Sequence, residues 1–286
     1  MDLCNISDIR ALLTRHGFHF SKAKGQNFLT DARVPARIAA ESGADASCGV
    51  LEVGPGIGCL TRELALRAGK VVAVELDERL RPVLRETMAE HPNVEIRFGD
   101  ILKTDIPALV QGAFPSLRPI ACANLPYYIT TPVLAALLES RCFRAVTVMV
   151  QKEVAQRICS APGRGEYGAF SVFCQYYAEP ALLFDVPPSS FIPQPKVTSA
   201  VLRLNVRSAP PCRVANEQMF FRVVKAAFAQ RRKTLLNCLS AAFPLSRQDL
   251  TDVLCGVGID PAVRGETLDI PRFAALANAL SERAEL

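Results

Sequence analysis

Over roughly the first two thirds of the chain, short apolar runs alternate with stretches of helical periodicity, and after that only helical periodicity remains. Residues 50–53, 71–74, 120–123 and 145–150 are brief and mostly apolar, 94–98 alternates apolar and charged positions, and a helical pattern follows each of them. Five strand-then-helix units predict an α/β fold with a doubly wound, mostly parallel sheet. Two helices precede the first unit: one at 6–13 that stops at Gly17, and one at 31–42 with Asp31 at or near its N-cap. Between them, residues 22–29 form a polar, glycine-containing segment ending on Phe28 and Leu29, which alone reads as a surface loop. Later, 181–184 and 197–204 read as a closing hairpin. Ser208-Ala209-Pro210-Pro211 reads as a linker, and helices are expected beyond it at 216–229, 231–242, 246–255 and 271–284. The expected organisation is therefore an α/β domain over 1–207 and a small all-helical domain over 208–286.

Composition narrows the class. Of 286 residues, 50% are apolar and 21% charged, enough for a large packed core. Ten cysteines occur without a C-x-x-C pair, and no apolar leader opens the chain. Reduced thiols in a cytoplasmic protein are the expectation. His16 and His19 have no suitably spaced Cys or acidic partner, so they read as surface histidines and no metal is expected. No apolar run is long enough to span a bilayer, so no membrane partner is expected. The net charge of +5 permits a polyanionic partner, and its distribution sharpens the point. No acid occurs between Glu217 and Asp249, an interval that holds Arg222, Lys225, Arg231, Arg232, Lys233 and Arg247. A solvated face mixes both signs; a one-signed interval suits contact with a phosphate backbone.

The candidate chemistry lies where the apolar runs stop. The first runs into Gly54-Pro55-Gly56-Ile57-Gly58, a strand-to-helix turn that lets backbone approach a ligand beside free helix N–H groups. The nicotinamide form of this loop has a third glycine where this chain has Cys59, which weighs against a dinucleotide. Glu75 follows Gly54 by 21 residues, at a second strand end, where an acid can grip both hydroxyls of a ribose. Asp100, at a third, suits either an adenine amino group or the N-cap of the next helix. The fourth strand ends in Asn124-Leu125-Pro126-Tyr127-Tyr128. Pro126 biases Leu125 towards extended geometry and prevents the turn from relaxing into helix. An exposed amide and a phenol ring there suit the edge and face of a flat heterocycle; the plain alternative is a turn with a buried tyrosine. Phe191, in the proline-stiffened loop 187–196, suits a stacking wall or, equally, a loop anchor packed in the core.

Taken in order, these segments resemble the ribosomal RNA small-subunit adenine dimethyltransferases (the KsgA/RsmA family). The likeness runs from Lys24 to about Asp269. It includes Gly25-Gln26-Asn27-Phe28-Leu29, Glu52-Val53-Gly54-Pro55-Gly56-Ile57-Gly58, Glu75-Leu76-Asp77, Gly99-Asp100 and Asn124-Leu125-Pro126-Tyr127. Gln151-Lys152-Glu153, Phe191-Ile192-Pro193-Gln194-Pro195-Lys196-Val197 and Gln230-Arg231-Arg232-Lys233-Thr234 complete it. The resemblance implies a class I, Rossmann-like methyltransferase fold with S-adenosyl-L-methionine as cofactor. It implies that Asn27 and Leu29 lie against the cofactor, Gly54 faces its methionine end, Glu75 holds the ribose and Asp100 the adenine. Asn124 would bridge cofactor and substrate.

The implied reaction is N6,N6-dimethylation of two adjacent adenosines in the 3′-terminal hairpin loop of 16S rRNA, on an immature small ribosomal subunit. Asn124 and Leu125 would align the target nitrogen, and Tyr127 and Phe191 would stack on the extruded base. Arg222, Lys225, Arg231, Arg232 and Lys233 would bind RNA, with the protein acting as a monomer. Two alternatives share much of this pattern: the large-subunit (23S) rRNA adenine methyltransferases of macrolide resistance, and a ribosome-assembly RNA-binding factor with little catalysis. A nicotinamide dehydrogenase leaves the Asn124 motif and the basic helices unexplained.

Overall fold

A computed structural model describes residues 1–18 and 27–284. His19 and the segment 22–26, with Gly25 and Gln26, lie outside the described residues. In chain order the elements begin with α1 (Ile6–Arg15), β1 (Phe28–Leu29), α2 (Arg33–Glu41), β2 (Cys48–Val53), α3 (Cys59–Ala65) and β3 (Lys70–Glu75). Then come α4 (Arg81–Thr87), β4 (Val94–Phe98), α5 (Ile106–Ala113), β5 (Arg118–Asn124), α6 (Thr130–Glu139) and β6 (Ala145–Gln151). After α7 (Lys152–Cys159) and α8 (Ala169–Tyr177) follow β7 (Ala178–Val186), β8 (Phe191–Ile192) and β9 (Ser199–Val206). The chain closes with α9 (Glu217–Ala227), α10 (Leu235–Ala242), α11 (Arg247–Gly256) and α12 (Ile270–Ala284).

Seven strands form one sheet in the order β4-β3-β2-β5-β6-β9-β7. β2 pairs in parallel with β3 and β5, β3 with β4, and β5 with β6, whereas β9 runs antiparallel to β6. This is the expected doubly wound, mostly parallel sheet, and its order reverses at β2, between β3 and β5. Every residue of β2 is buried, as a central strand covered on both faces requires. One apolar cluster packs Ile38, Leu60 and Leu64 against Val50, Val71 and Ile120. A second gathers Ile9, Leu12, Ile57, Leu80 and Val83. β7 starts earlier than the expected hairpin arm and is only partly buried, as an edge strand can be.

Two helix starts differ from expectation, each for a local reason. The helix expected from Asp31 begins at Arg33, because the Asp31 carboxylate accepts from the Arg33 backbone N–H (3.1 Å) and guanidinium (2.8 and 2.9 Å) in a tight turn of its own. The helix expected from Arg231 begins at Leu235, where Thr234 caps it through the Asn237 N–H. Arg231, Arg232 and Lys233 therefore lie in the turn between α9 and α10.

The chain divides into two compact units. One comprises 1–155 and 180–206, the other 156–179 and 207–286. Against the expected cut at 207/208, residues 156–179 join the second unit. Aromatic packing explains why: the Tyr176 ring stacks on Phe220 (4.9 Å between centroids), and Phe173 lies 5.4 Å from Phe221. The Tyr176 and Tyr177 hydroxyls both donate to Glu217, and the buried Tyr167 hydroxyl donates to the Leu268 carbonyl (3.0 Å).

Gly49 in β2 provides a test of this packing. A Cβ there would meet the Phe114 ring at 2.3 Å. Gly49→Ala is expected to lower stability by ~1–3 kcal/mol through overpacking. A second change, Phe114→Leu, should recover part of that loss in denaturant titrations, whereas additive losses would mean the two sites do not touch.

Candidate active site

β2, β3, β4 and β5 run in one direction, so their carboxyl ends open on the same edge of the sheet, where ligands bind in such folds. A cleft of about 1080 Å³, counted out to its open mouth, lies there. Its lining includes Asn27, Leu29, Gly54, Glu75, Asp100, Asn124, Leu125, Tyr127 and Phe191, so the residues singled out from the sequence for cofactor and catalysis surround one cavity.

The glycine turn owes its shape to backbone conformations that L side chains rarely adopt: φ is +71° at Gly54, +61° at Gly56 and +97° at Gly58. Nothing lies within 4 Å of a Cβ built on Gly54, so this position faces open space rather than packed core. Glu75 anchors the turn from the next strand. Its carboxylate accepts the Gly56 N–H (3.2 Å) and the Asp77 N–H (2.7 Å), and the side chain is only 6% exposed. Asp77 is itself buried and accepts a two-pronged contact from the Arg79 guanidinium (2.6 and 2.9 Å). Asp100 lines the cleft and accepts from the Leu102 N–H (3.0 Å), capping a short helical turn.

The Asn124 amide nitrogen donates to the Asn27 carbonyl at 3.5 Å, which orients the side chain and leaves its oxygen as the acceptor. Leu125 is buried, and its N–H donates to the Met149 carbonyl on β6 (3.2 Å). Tyr127 keeps its phenol neutral: partial burial raises its pKa, and a hydrogen bond with the Ser199 hydroxyl (2.7 Å) offsets part of that rise. Phe191 is 3% exposed. It sits opposite Leu29 in the short antiparallel pair of β1 and β8, at once on the cleft wall and in the core cluster that holds Leu29 and Val34. Sequence reading left wall and anchor as alternatives for this ring; the structure shows a buried ring that borders the cleft.

Three groups in or beside this site were given no role from the sequence. Ser199 carried no signal, since only the antiparallel placement of β9 brings it to Tyr127. Asp77 looked like part of a motif and is a buried turn anchor. Glu52 did carry a signal, a lone acid inside an apolar run, and it lines the cleft at 1% exposure. Burial, with the nearby Glu75 carboxylate adding to it and the Thr61 hydroxyl offsetting it, pushes its carboxyl up to about 8.

In the second unit, Arg222, Lys225, Arg231, Arg232 and Lys233 are on the surface. Arg222 covers the Phe243 ring (4.4 Å) and donates to the Ala242 carbonyl (3.0 Å), and Arg231 donates to the Gly165 carbonyl. Arg232 and Lys233 make no ion pair among the described residues. No group of three or more His, Cys, Asp or Glu among the described residues is placed to hold a metal, and His16 contacts Glu86 (2.6 Å). All ten cysteines are free thiols, and no helix among the described residues is long and apolar enough to cross a membrane.

Residues 17–280 match a family described as ribosomal RNA adenine dimethylase. The chain is 47% identical to the ribosomal RNA small subunit methyltransferase A of Shouchella clausii, over 98% of this chain and 96% of that protein. It is 46% identical to the protein of the same name in Geobacillus thermodenitrificans, over 98% of this chain and 97% of that one. Among solved structures, a dimethyladenosine transferase from Plasmodium falciparum shares the fold, with a TM-score of 0.76 at 24% identity over 90% of this chain and 98% of that one. The 23S rRNA methyltransferase ErmE aligns with a TM-score of 0.67 at 29% identity, over 89% and 99%.

The position of Phe191 leads to a stability expectation. Phe191→Ala should destabilise the fold by ~3–5 kcal/mol, the cost of a large buried cavity. Tyr127→Phe, which removes only the hydrogen bond with Ser199, should cost ~0.5–1.5 kcal/mol. Equal melting temperatures for Phe191→Ala and wild type would remove the ring from the core.

Proposed function

This chain belongs to the ribosomal RNA adenine dimethylase family, and we propose that it transfers methyl groups from S-adenosyl-L-methionine to N6 of two adjacent adenosines of 16S rRNA, in the 3′-terminal hairpin loop of an immature small ribosomal subunit. The observation that carries this reading is the convergence of the glycine turn, Glu75, Asp100 and the Asn124-Leu125-Pro126-Tyr127 turn on one cleft. The small-subunit assignment draws on relatives 45–47% identical that bear that name, against 29% for the 23S enzyme. In this reading the protein acts in the cytoplasm, as a monomer.

The cleft fits the cofactor on its own evidence: open space at Gly54, a carboxylate held at the second strand end and another at the third. When bound, S-adenosyl-L-methionine supplies an electrophilic methyl group. In this reading Glu75 accepts the ribose hydroxyls, Asp100 the adenine amino group, and Asn27 and Leu29 close the wall beside them. The adenine N6 lone pair is delocalised into its ring and is a weak nucleophile. Accepting its N–H hydrogens with the Asn124 side-chain oxygen and the Leu125 carbonyl would favour a tetrahedral nitrogen aimed at the methyl group. Rate enhancement then comes from alignment and fixed dipoles, without a strong base. Tyr127 and Phe191 offer faces to the extruded base, and stacking worth ~1–3 kcal/mol offsets the cost of unstacking it. Arg222, Lys225, Arg231, Arg232 and Lys233 contact phosphates, with Arg232 and Lys233 the least committed to the protein's own surface.

Unmodified small subunits incubated with the protein and methyl-labelled cofactor should acquire label at two adjacent 16S adenosines. No label there, or label on 23S rRNA when unmodified large subunits are offered in parallel, would overturn the reading. Tyr127→Ala should leave cofactor affinity near wild type and slow single-turnover methylation roughly tenfold to a hundredfold. Alanine at Arg231, Arg232 and Lys233 together should reduce the slope of log RNA affinity against log salt by ~1 for each phosphate that is no longer neutralised. An unchanged slope would return these cations to the protein's own surface.

A further inference from the structure

The turn that leaves β5 carries two tyrosines, and only Tyr127 has a part in catalysis as proposed so far. Both belong to a single turn of 3-10 helix, Tyr127–Ile129, which Pro126 enters at φ −55°. The Ile129 N–H and the Thr130 hydroxyl close that turn by donating to the Pro126 carbonyl (3.2 and 3.3 Å). With three residues per turn, consecutive side chains leave such a helix about 120° apart. Tyr127 is turned towards the Ser199 hydroxyl, so Tyr128 is turned away from it. Tyr128 nevertheless lines the same cleft while remaining 57% exposed, which places its ring at the mouth, between cavity and solvent.

A single exposed apolar side chain says little by itself; its position and its isolation say more. Every phenylalanine and every other tyrosine among the described residues is buried or partly covered. The Tyr128 side chain makes no hydrogen bond and no ring contact among those residues, so the fold does not use it. Its backbone is held by the closed turn, and a tyrosine has only two side-chain torsions to fix when something covers it.

The chemistry of the reaction supplies the cover. Drawing one adenine out of its stack uncovers a face of the base beside it, and for either methylation that neighbour includes the other target. We propose that Tyr128 is the stacking platform for the nucleotide adjacent to the extruded adenosine. One base of the pair then lies inside the cleft against Tyr127 while the other lies on Tyr128 at the rim. The inference rests on the dimethylation of adjacent adenosines proposed above. Tyr128 is thus a specificity residue that responds to the base beside the target rather than to the target itself. Stacking tolerates any base but is stronger for a purine, whose larger ring system covers more of the phenol.

Single-turnover methylation of unmodified small subunits by the full chain, with labelled cofactor, tests the proposal. Tyr128→Ala should keep the wild-type melting temperature and cofactor affinity, and slow methylation roughly tenfold to a hundredfold. Tyr128→Phe should match wild type, because the ring and not the hydroxyl is used. Subunits assembled on 16S rRNA with one adenosine of the pair replaced then identify what the ring meets. The slowing caused by Tyr128→Ala should be several-fold greater with guanosine beside the remaining adenosine than with uridine there. Equal slowing beside the two bases would overturn the platform while leaving the methylation reading intact. So would a Tyr128→Ala protein that methylates the natural pair at the wild-type rate, or one that binds the cofactor more weakly. Wild type that labels neither adenosine would remove the methylation reading itself, and this inference with it.

Discussion

Parallel strands in register can end only on one edge of their sheet, and this constraint underlies the site. β2, β3, β4 and β5 share a direction, so the residues that follow them, a glycine turn, Glu75, Asp100 and Asn124, face one cleft although they span 70 positions of chain, from 54 to 124. The Glu75 carboxylate turns this shared edge into a fixed shape. By accepting the Gly56 and Asp77 N–H groups it ties the turn after β2 to the turn after β3. Backbone donors that an apolar environment would leave unpaired are satisfied by the carboxylate that also lines the cleft.

The far wall of the cleft depends on a different device. The two-residue pairing of β1 with β8 sets Phe28 opposite Ile192 and Leu29 opposite Phe191, joining chain segments some 160 residues apart. Phe191 is then both core and wall. A ring with so little freedom loses little entropy when a base stacks against it, which suits binding by preorganisation. Tyr127 reaches a similar rigidity by another route, through its hydrogen bond with Ser199 on β9. Asn124 is steadied by the Asn27 carbonyl, so the segment that enters β1 and the turn that leaves β5 hold one another.

The second unit is organised by aromatic packing rather than by a sheet. Tyr176, Tyr177, Phe220 and Phe221 form one contiguous group, with Glu217 accepting both tyrosine hydroxyls. Its basic residues fall into two kinds. Arg222 and Arg231 are tied to neighbouring carbonyls, whereas Arg232 and Lys233 project from the turn before α10. Cations on a short turn before a helix suit phosphate, because turn and helix start carry the same sign of charge.

The sequence by itself determined the sheet and most of the cleft. Most of the parallel strands are short apolar runs, and Gly54, Glu75, Asp100 and Asn124 each sit at or just past a strand end, so composition and spacing carry both. The residues from Gly54 to Asn124 were legible for that reason, and Glu52 was visible as the single acid of its run, although nothing local revealed its burial beside the cleft. Tertiary structure alone decided the features that depend on distant partners. Ser199 met Tyr127 because β9 enters the sheet antiparallel beside β6; Phe191 was buried because β8 pairs with β1; and 156–179 joined the helical unit because its aromatic side chains find theirs there. The starts of α2 and α10 shifted by a few residues because Asp31 and Thr234 each chose one backbone N–H over its neighbours. Local patterns specify what a segment is; the register between segments, set by packing of the whole chain, specifies what it touches.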